Sequence, residues 1–229
     1  MIRGAKAAAC RARYVSIHPQ SDQQSAVRIL ACIVAGAEPP LASDANAGIV
    51  GVLRAQSRLQ ALDFWVRYPD YLANELLNEF LRGGMPEDLE LAARILGDRE
   101  PDLRRVPMVR YLFGAFEPLD NPLSLLRSRD LVRQRKTGQP GQVRETWYLL
   151  TRSGGDAMER LAGEADELAW YRDRAIVAAR VAGGVGGRAL KGRQYLQDEY
   201  AATPIGGVIP SISEKVRERL EVMRGMGRE

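Results

Sequence analysis

Apolar residues along much of this chain recur every three or four positions, the spacing that predicts helices with one buried face. The clearest such stretch begins at residue 55 and ends where Tyr68 precedes Pro69, because a residue before proline disfavours helical backbone. Two further helices are predicted over 70–81 and 86–96, each of which is followed by glycine. The sequence therefore predicts a protein that is built mainly from packed α-helices.

Residues 108–151 carry a different pattern, in which a short helix leads into two strands. Asn121 and Pro122 are typical of a helix start, as cap and first helical residue. Strand-favouring residues begin near Val132, and turn residues at 137–141 separate them from a second strand-favouring stretch. This order is the outline of a winged helix. We expect a support helix over 107–113, a recognition helix over 121–129 and a wing over 131–151.

The expected fold is mainly α, with a winged helix-turn-helix core, a small β-hairpin wing and additional N- and C-terminal helices. The hairpin is the sole β region that the pattern predicts. A long helix is predicted over 157–182, either as an oligomer contact or as a helix folded back on the N-terminal helices. The expected units are a flexible N-terminal arm at 1–46, a helical subdomain at 47–104, the winged helix with its long following helix at 105–182, and a C-terminal helical segment at 183–229.

Positive charge is concentrated around the predicted winged helix. Between residues 104 and 144 nine basic residues stand against three acidic ones, an excess of six, whereas the whole chain carries a net charge of only +4. A local positive field on a helix and a loop is typical of a nucleic-acid surface. The other interpretation is that these arginines only solvate an exposed face. The candidate DNA-binding residues are Arg127, Arg129, Arg133, Arg135, Lys136 and Arg144.

The predicted recognition helix is short and poor in the polar side chains that read base edges. Arginine can bind either a phosphate or a guanine edge with two hydrogen bonds. Phosphate contacts position a protein on the duplex without reading its sequence. We therefore expect this surface to contact mainly the backbone of duplex DNA.

A resemblance to known proteins follows from these segments. The sequences LLRSRDLVRQRK at 125–136 and WYLLTRSGGDAMERL at 147–161 are similar to the winged-helix pattern, in which a helix, a wing and a Leu-Thr segment follow one another. A wider likeness includes LQALDFWVRYP at 59–69, MVRYLFGAFEPLDNPLSLLRSRDLV at 108–132 and RALKGRQYLQDEY at 188–200. Together they resemble the small winged-helix middle components of bacterial three-component ABC-ATPase systems, which are encoded beside a large SMC-like ATPase.

The resemblance implies a non-catalytic adaptor that contacts DNA and a large ATPase partner, in a defence system or another DNA-associated system. The alternative is a stand-alone winged-helix transcriptional regulator, which would dimerise and read a palindrome in the major groove. The identity of the neighbouring gene product would separate these two functions.

Residues that carry catalysis are sparse in this sequence. His18 is the single histidine, so a histidine-based metal site or a Ser-His-Asp triad would depend on it alone. Cys10 and Cys32 lack metal-ligand spacing and are expected to be free thiols. The glycines of 183–187 lack the spacing of a phosphate-binding loop and predict a helix–helix turn. We expect no enzyme activity, no cofactor and no metal.

The composition of the N-terminal residues bears on where in the cell the protein is expected. Residues 1–21 are rich in arginine and alanine, a composition that fits a targeting peptide but equally fits a frayed arm. The apolar run at 27–37 is shorter than the roughly 20 residues that cross a bilayer. We expect a cytoplasmic protein with no membrane contact, whose thiols stay reduced.

Overall fold

The computed structural model describes residues 20–111, 114–139 and 142–226 of the 229-residue chain. This part of the chain is mainly helical, as the sequence predicts. Its helices are α1 (Asp22–Gly36), α2 (Ala42–Asn46), α3 (Gln56–Arg67), α4 (Pro69–Leu81), α5 (Pro86–Gly97), α6 (Glu100–Leu103), α7 (Asp120–Ser128), α8 (Arg152–Glu164), α9 (Asp166–Ala182), α10 (Gly187–Tyr195), α11 (Asp198–Ala202) and α12 (Ser213–Met226). Its strands are β1 (Ile49–Arg54), β2 (Val109–Tyr111), β3 (Gly114–Phe116), β4 (Val132–Gln139) and β5 (Gln142–Thr151).

Helix α1 lies in the protein core. A capping box starts it, because the Ser21 side chain accepts a hydrogen bond from the Gln24 N–H and the Gln24 side chain accepts one from the Ser21 N–H. Its apolar side, which includes Ile29 and Ile33, is fully buried. The prediction of a flexible arm over 1–46 is therefore wrong for residues 20–46, and residues 1–19 lie outside the described part.

The larger sheet contains three antiparallel strands in the order β1-β5-β4. Strands β4 and β5 form the predicted hairpin. Strand β1 pairs with the other edge of β5, with Val52 opposite Leu149. The expectation that the hairpin is the sole β region is wrong, because the apolar run IVGVLR at 49–54 forms a strand as well.

The second sheet is small and replaces a predicted helix. Strands β2 and β3 pair with each other where a support helix was expected over 107–113, so that expectation is wrong; residues 112 and 113 lie outside the described part. Val109 also forms an isolated antiparallel bridge with Val208. The helices predicted over 55–68, 70–81 and 86–96 are confirmed as α3, α4 and α5.

Helix α3 occupies the centre of the molecule, and ten of its twelve residues are buried. Phe64 and Trp65 are at most 1% exposed, so their helical spacing marks core, as expected. Its polar residues are buried too and reach different segments. Gln60 forms two hydrogen bonds with the Glu117 backbone, at 2.7 and 3.2 Å, and Arg67 donates to the carbonyls of Val106 and Pro107 at 3.0 and 2.7 Å.

The long helix predicted over 157–182 is divided in two. The backbone of Ala165 is extended, which separates α8 from α9. Helix α9 packs against α1 and α3 and buries Ala175 and Ala178 completely. Of the two alternatives, the structure therefore shows the helix folded back on the N-terminal helices.

The C-terminal helices complete the same core. Arg193 of α10 forms ion pairs with Glu75 and Glu79 of α4. The buried Asp70 carboxylate accepts a 2.7 Å hydrogen bond from the Ile212 N–H and a 2.6 Å bond from the Ser211 hydroxyl, next to the start of α12. The C-terminal residues are thus fixed to α4 through buried carboxylates.

Candidate nucleic-acid interface

Helix α7 corresponds to the predicted recognition helix and has one buried side. Leu123 and Leu126 are buried against the core, whereas Arg127 is exposed. The helix begins at Asp120, and the Asn121 amide donates to the Asp22 carboxylate at 3.2 Å. Asn121 therefore joins α7 to α1. The prediction that Asn121 caps the helix is wrong, because the cap position is Leu119.

A groove of about 470 Å³ lies between α7 and β4. Arg127 lies on its helical side and Arg133 on its strand side. The remaining lining residues are Ser124, Ser128, Val132 and Gln134. Arg129 follows as the exposed C-terminal cap of α7. The structure thus brings two of the predicted basic residues to one groove.

Arg133 is held by the turn that joins α7 to β4. Its Nε and Nη2 atoms donate to the two carboxylate oxygens of Asp130, both at 2.7 Å. A further hydrogen bond runs from Nη1 to the Ala47 carbonyl at 3.3 Å. The hydrogen bond from Arg133 lowers the pKa of Asp130. Arg133 therefore already forms with Asp130 the pair of hydrogen bonds that it would otherwise form with a phosphate.

Arg135 is held in the same way by helix α2. Both of its terminal nitrogens bind the Asp44 carboxylate, one of them at 3.0 Å. The Asp44 side chain is only 5% exposed, and the hydrogen bond from Arg135 lowers its pKa. Asp44 thereby anchors a short helix to the outer face of the wing.

Lys136 and Arg144 lie further along the hairpin, and both are exposed. Lys136 stands opposite Thr146, and Arg144 lies beside the irregularity in pairing at Gly138. Among the described residues, neither side chain has an ion-pair partner. These two residues, with Arg127 and Arg129, are the predicted site residues whose charge is not neutralised by a carboxylate.

The predicted basic residues of β4 do not share one face of the sheet. Arg133 and Arg135 stand opposite Leu149 and Trp147, which belong to a small apolar cluster outside the main core. Lys136 is one position on, and neighbouring strand residues point to opposite faces. The structure therefore divides the predicted surface into two sets. Arg133, which also lines the groove, and Arg135 are paired with carboxylates, whereas the basic residues of α7 and those further along the wing are not.

Two acidic residues determine this division, and the sequence reasoning missed their role. Asp130 lies three positions before Arg133, and Asp44 lies about ninety positions from Arg135. The first pairing has a local sequence signal in the Arg-Asp turn after α7. The second has none, because it depends on how α2 packs on the finished sheet.

The glycine-rich stretch 183–187 forms the predicted turn between α9 and α10. Arg58, a buried residue of α3, donates to the carbonyl oxygens of Gly183, at 2.8 Å, and Val185. Gly187 lies so close to Ser57 that an added Cβ would collide with it. The backbone oxygens of this turn thus bind the protein's own arginine.

The thiol of Cys32 is fully buried in α1, and burial raises its pKa well above the ordinary value. Such a thiol is protonated and unreactive at neutral pH. Cys10 and His18, the other candidates named from the sequence, lie outside the described residues. Within the described ranges, the acidic, cysteine and histidine side chains form no group that could hold a metal ion.

Comparisons with other proteins leave the fold and the site to be interpreted on their own geometry. In the described part of the chain, every helix is too short or too polar to cross a membrane. The sequence matches no protein-family model and no curated protein, and the structure matches no solved one.

Proposed function

We propose that this protein is a non-catalytic winged-helix adaptor. The observation that carries the proposal is the order of its central elements. Helix α1, strand β1, helix α3, helix α7 and the hairpin β4-β5 follow one another, and β1 pairs with β5 to give the sheet order β1-β5-β4. Helix α1 packs against both α3 and α7. A helix that packs against two others, with a strand added to the following hairpin, is an arrangement that fits a winged helix.

In this interpretation α3 takes the position of the support helix, and residues 68–119 are an insertion before the recognition helix. The buried contacts between Gln60 and the Glu117 backbone fix the end of this insertion three residues before α7 begins. The recognition helix is therefore positioned by its packing against α1, and α3 holds the segment that leads into it.

The exposed side of α7 supports contact with a nucleic-acid backbone more than base reading. Ser124, Arg127 and Ser128 line the groove, and they offer hydroxyls and one guanidinium. Lys136 and Arg144 extend the positive charge along the wing. Such groups bind phosphate oxygens irrespective of sequence. A regulator that reads a palindrome needs more base-reading side chains than this helix presents.

The adaptor function requires a second partner, and we propose the large ATPase that the sequence resemblance implies. The stand-alone regulator remains the alternative function. Co-purification from the native host with a coiled-coil ATPase encoded by the neighbouring gene would support the adaptor. Dimeric, sequence-specific binding of duplex DNA without that ATPase would support the regulator.

The salt dependence of DNA binding tests the nucleic-acid surface. Each phosphate contact adds about 0.9 to the slope of log affinity against log salt. We expect the Lys136→Ala/Arg144→Ala double variant to flatten this slope by up to about two units, equally on unrelated duplexes. The matched control is Arg82→Ala/Lys215→Ala, which removes the same charge from side chains that already have carboxylate partners. Equal slopes for both double variants would contradict the proposed surface.

A further inference from the structure

The two edges of the larger sheet differ in whether another segment of the described chain pairs with them. At the β1 edge, Glu38 forms an isolated bridge with Val52, with backbone hydrogen bonds of 2.8 and 3.0 Å. At the β4 edge, no strand or loop of the described residues pairs with the eight residues of β4. Long strand edges are normally covered or shortened, because their unpaired backbone groups accept another strand.

The pairing register shows which backbone groups of β4 face outward. The Thr151 N–H donates to the Leu131 carbonyl at 3.2 Å, so this pair of residues is hydrogen-bonded. Hydrogen-bonded and non-hydrogen-bonded pairs alternate along an antiparallel ladder. Residues 133 and 135 therefore bond to β5, whereas Val132, Gln134 and Lys136 direct their N–H and C=O groups away from the sheet. Val132 is fully buried, so the accessible outward groups are those of Gln134 and Lys136.

The groove between α7 and β4 lies along this open edge. Val132 and Gln134, two of the outward-bonding residues, line it together with Arg127. The remaining lining residues are Ser124, Ser128 and Arg133, so the groove contains no carboxylate. Hydrogen-bond donors on both walls and an unpaired strand edge at Gln134 and Lys136 are features that an extended peptide uses when it joins a sheet.

We propose that the outer edge of β4 binds an extended acidic segment of a partner protein, which joins the sheet as an additional strand. The inference rests on the proposed adaptor function and gives it a partner-binding surface. Arg127 faces the carboxylates of the segment across the groove. A second copy of β4 does not fit, because Lys136 and the adjacent Arg127, whose charges no carboxylate neutralises, would meet the same charges.

The strand edge favours a peptide over a nucleic acid. A peptide presents alternating N–H and C=O groups at about 3.3 Å per residue, which matches the outward groups of Gln134 and Lys136. A sugar-phosphate backbone offers acceptors but no N–H donors, so the outward carbonyls would stay unpaired. Duplex DNA at the wing tip and a peptide at the edge therefore use different atoms of the same hairpin.

The first test measures binding of a fluorescein-labelled ten-residue peptide of alternating Glu and Val. We expect saturable binding, and at least tenfold weaker binding by Gln134→Pro, since proline removes an outward N–H but leaves the ladder to β5 intact. Gln134→Thr retains the N–H and should bind within about threefold of the wild type. Melting temperature and circular dichroism establish that both variants are folded.

Two control peptides separate strand addition from simple charge attraction. N-methylation of every second amide removes the backbone donors that would face β4, and replacement of Glu by Lys reverses the charge. We expect both changes to abolish binding. Equal binding of the N-methylated peptide, equal binding by Gln134→Pro, or no binding of the acidic peptide to the wild type would overturn the proposal.

Amide hydrogen exchange, followed residue by residue by NMR, provides an independent readout. Peptide should slow exchange at Gln134 and Lys136, whereas Arg133 and Arg135 are already bonded to β5 and should change little. If duplex DNA slows exchange at Gln134 and the peptide does not, the edge belongs to the nucleic-acid surface and the proposal fails. The proposed function fails on different results. These are a salt slope of DNA binding that the Lys136→Ala/Arg144→Ala double variant leaves unchanged, together with no co-purifying ATPase.

Discussion

Buried charge at single residues links the core of the protein. Asp63 is fully buried, and its Oδ1 atom lies 2.6 Å from Nε of Arg28, which is 1% exposed. Arg67 lies 3.6 Å from the other Asp63 oxygen and also pairs with Glu117. Removal of one member leaves its partners charged and shielded from solvent, which costs more than the pair contributes when intact.

We expect Asp63→Ala to lower the free energy of unfolding by about 3–5 kcal/mol, because it leaves two buried arginines without their shared carboxylate. Arg82→Ala, which breaks an exposed ion pair with Glu79, should change it by at most about 1 kcal/mol. Urea denaturation measures both values. Similar losses of unfolding free energy in the two variants would show that the buried Asp63 cluster stabilises the protein no more than the exposed ion pair does.

The ion pair between Asp44 and Arg135 makes part of the stability depend on pH. Arg135 lowers the pKa of Asp44 in the folded protein, so the pair stabilises the fold above the unfolded value of about 3.9. This contribution is lost as the pH falls from about 3.9 through the lowered folded pKa. We expect the wild type to be more stable than Asp44→Asn near neutral pH, with the difference shrinking in acid. A difference that grows on acidification would contradict this account.

At the scale of elements, the junction between β5 and α8 depends on one close approach. Thr151 caps α8 by accepting a 3.1 Å hydrogen bond from the Gly154 N–H. An added Cβ at Gly154 would collide with the Leu131 carbonyl and lie 2.9 Å from the Leu150 side chain. The neighbouring Gly155 has open space around the same position.

We expect Gly154→Ala to destabilise the protein by about 1–3 kcal/mol, because the helix must move away from the hairpin. Gly155→Ala should instead stabilise it by up to about 1 kcal/mol, since alanine loses less backbone entropy in a helix. Thermal unfolding of the two variants provides the comparison. The same sign for both would show that backbone propensity, not the contact with Leu131, determines the effect.

Elements with a strong local signal could be predicted from the sequence. The helices that became α3, α4 and α5 have periodic apolar residues and clear ends, and the hairpin has its turn residues. Helix α1 also had a local signal, the Ser21–Gln24 capping box before an apolar run. Because that run is short, the sequence pattern predicts a flexible arm for this segment. Strand β1 is six residues long, and its pairing with β5 bridges about a hundred positions, which local patterns do not encode.

The candidate site was predictable only in composition. Charge clustering identified the basic residues of α7 and the wing, but which of them are neutralised depends on Asp44 and on the face that each strand residue takes. The buried polar residues of α3 illustrate the same limit. Arg58 and Asp63 occupy positions that resemble a solvated helix face, and only the surrounding segments give them buried partners.

At the scale of the whole molecule, helix α1, which lies within the predicted N-terminal arm, is part of the core. A chain that begins at residue 47 lacks α1, whose side chains pack against α3, α7 and α9, and Asp63 then loses Arg28. We expect this shortened chain to lose its cooperative thermal transition, followed by circular dichroism at 222 nm. A sharp transition at an unchanged temperature would show that α3 and α9 form a stable core without α1.

The polar contacts of α3 have a consequence for how the protein opens. Arg58, Gln60, Asp63 and Arg67 each hold a different segment, so opening of any one of these segments exposes a buried group that has lost its partner. Such openings therefore cost more free energy than openings that expose no buried polar group. The described outer parts of the wing, residues 136–139 and 142–145, are joined to the rest of the protein mainly by strand pairing, so opening of this part exposes fewer buried groups. A binding surface of this kind can adjust to its ligand, and the rigid base fixes where that adjustment takes place.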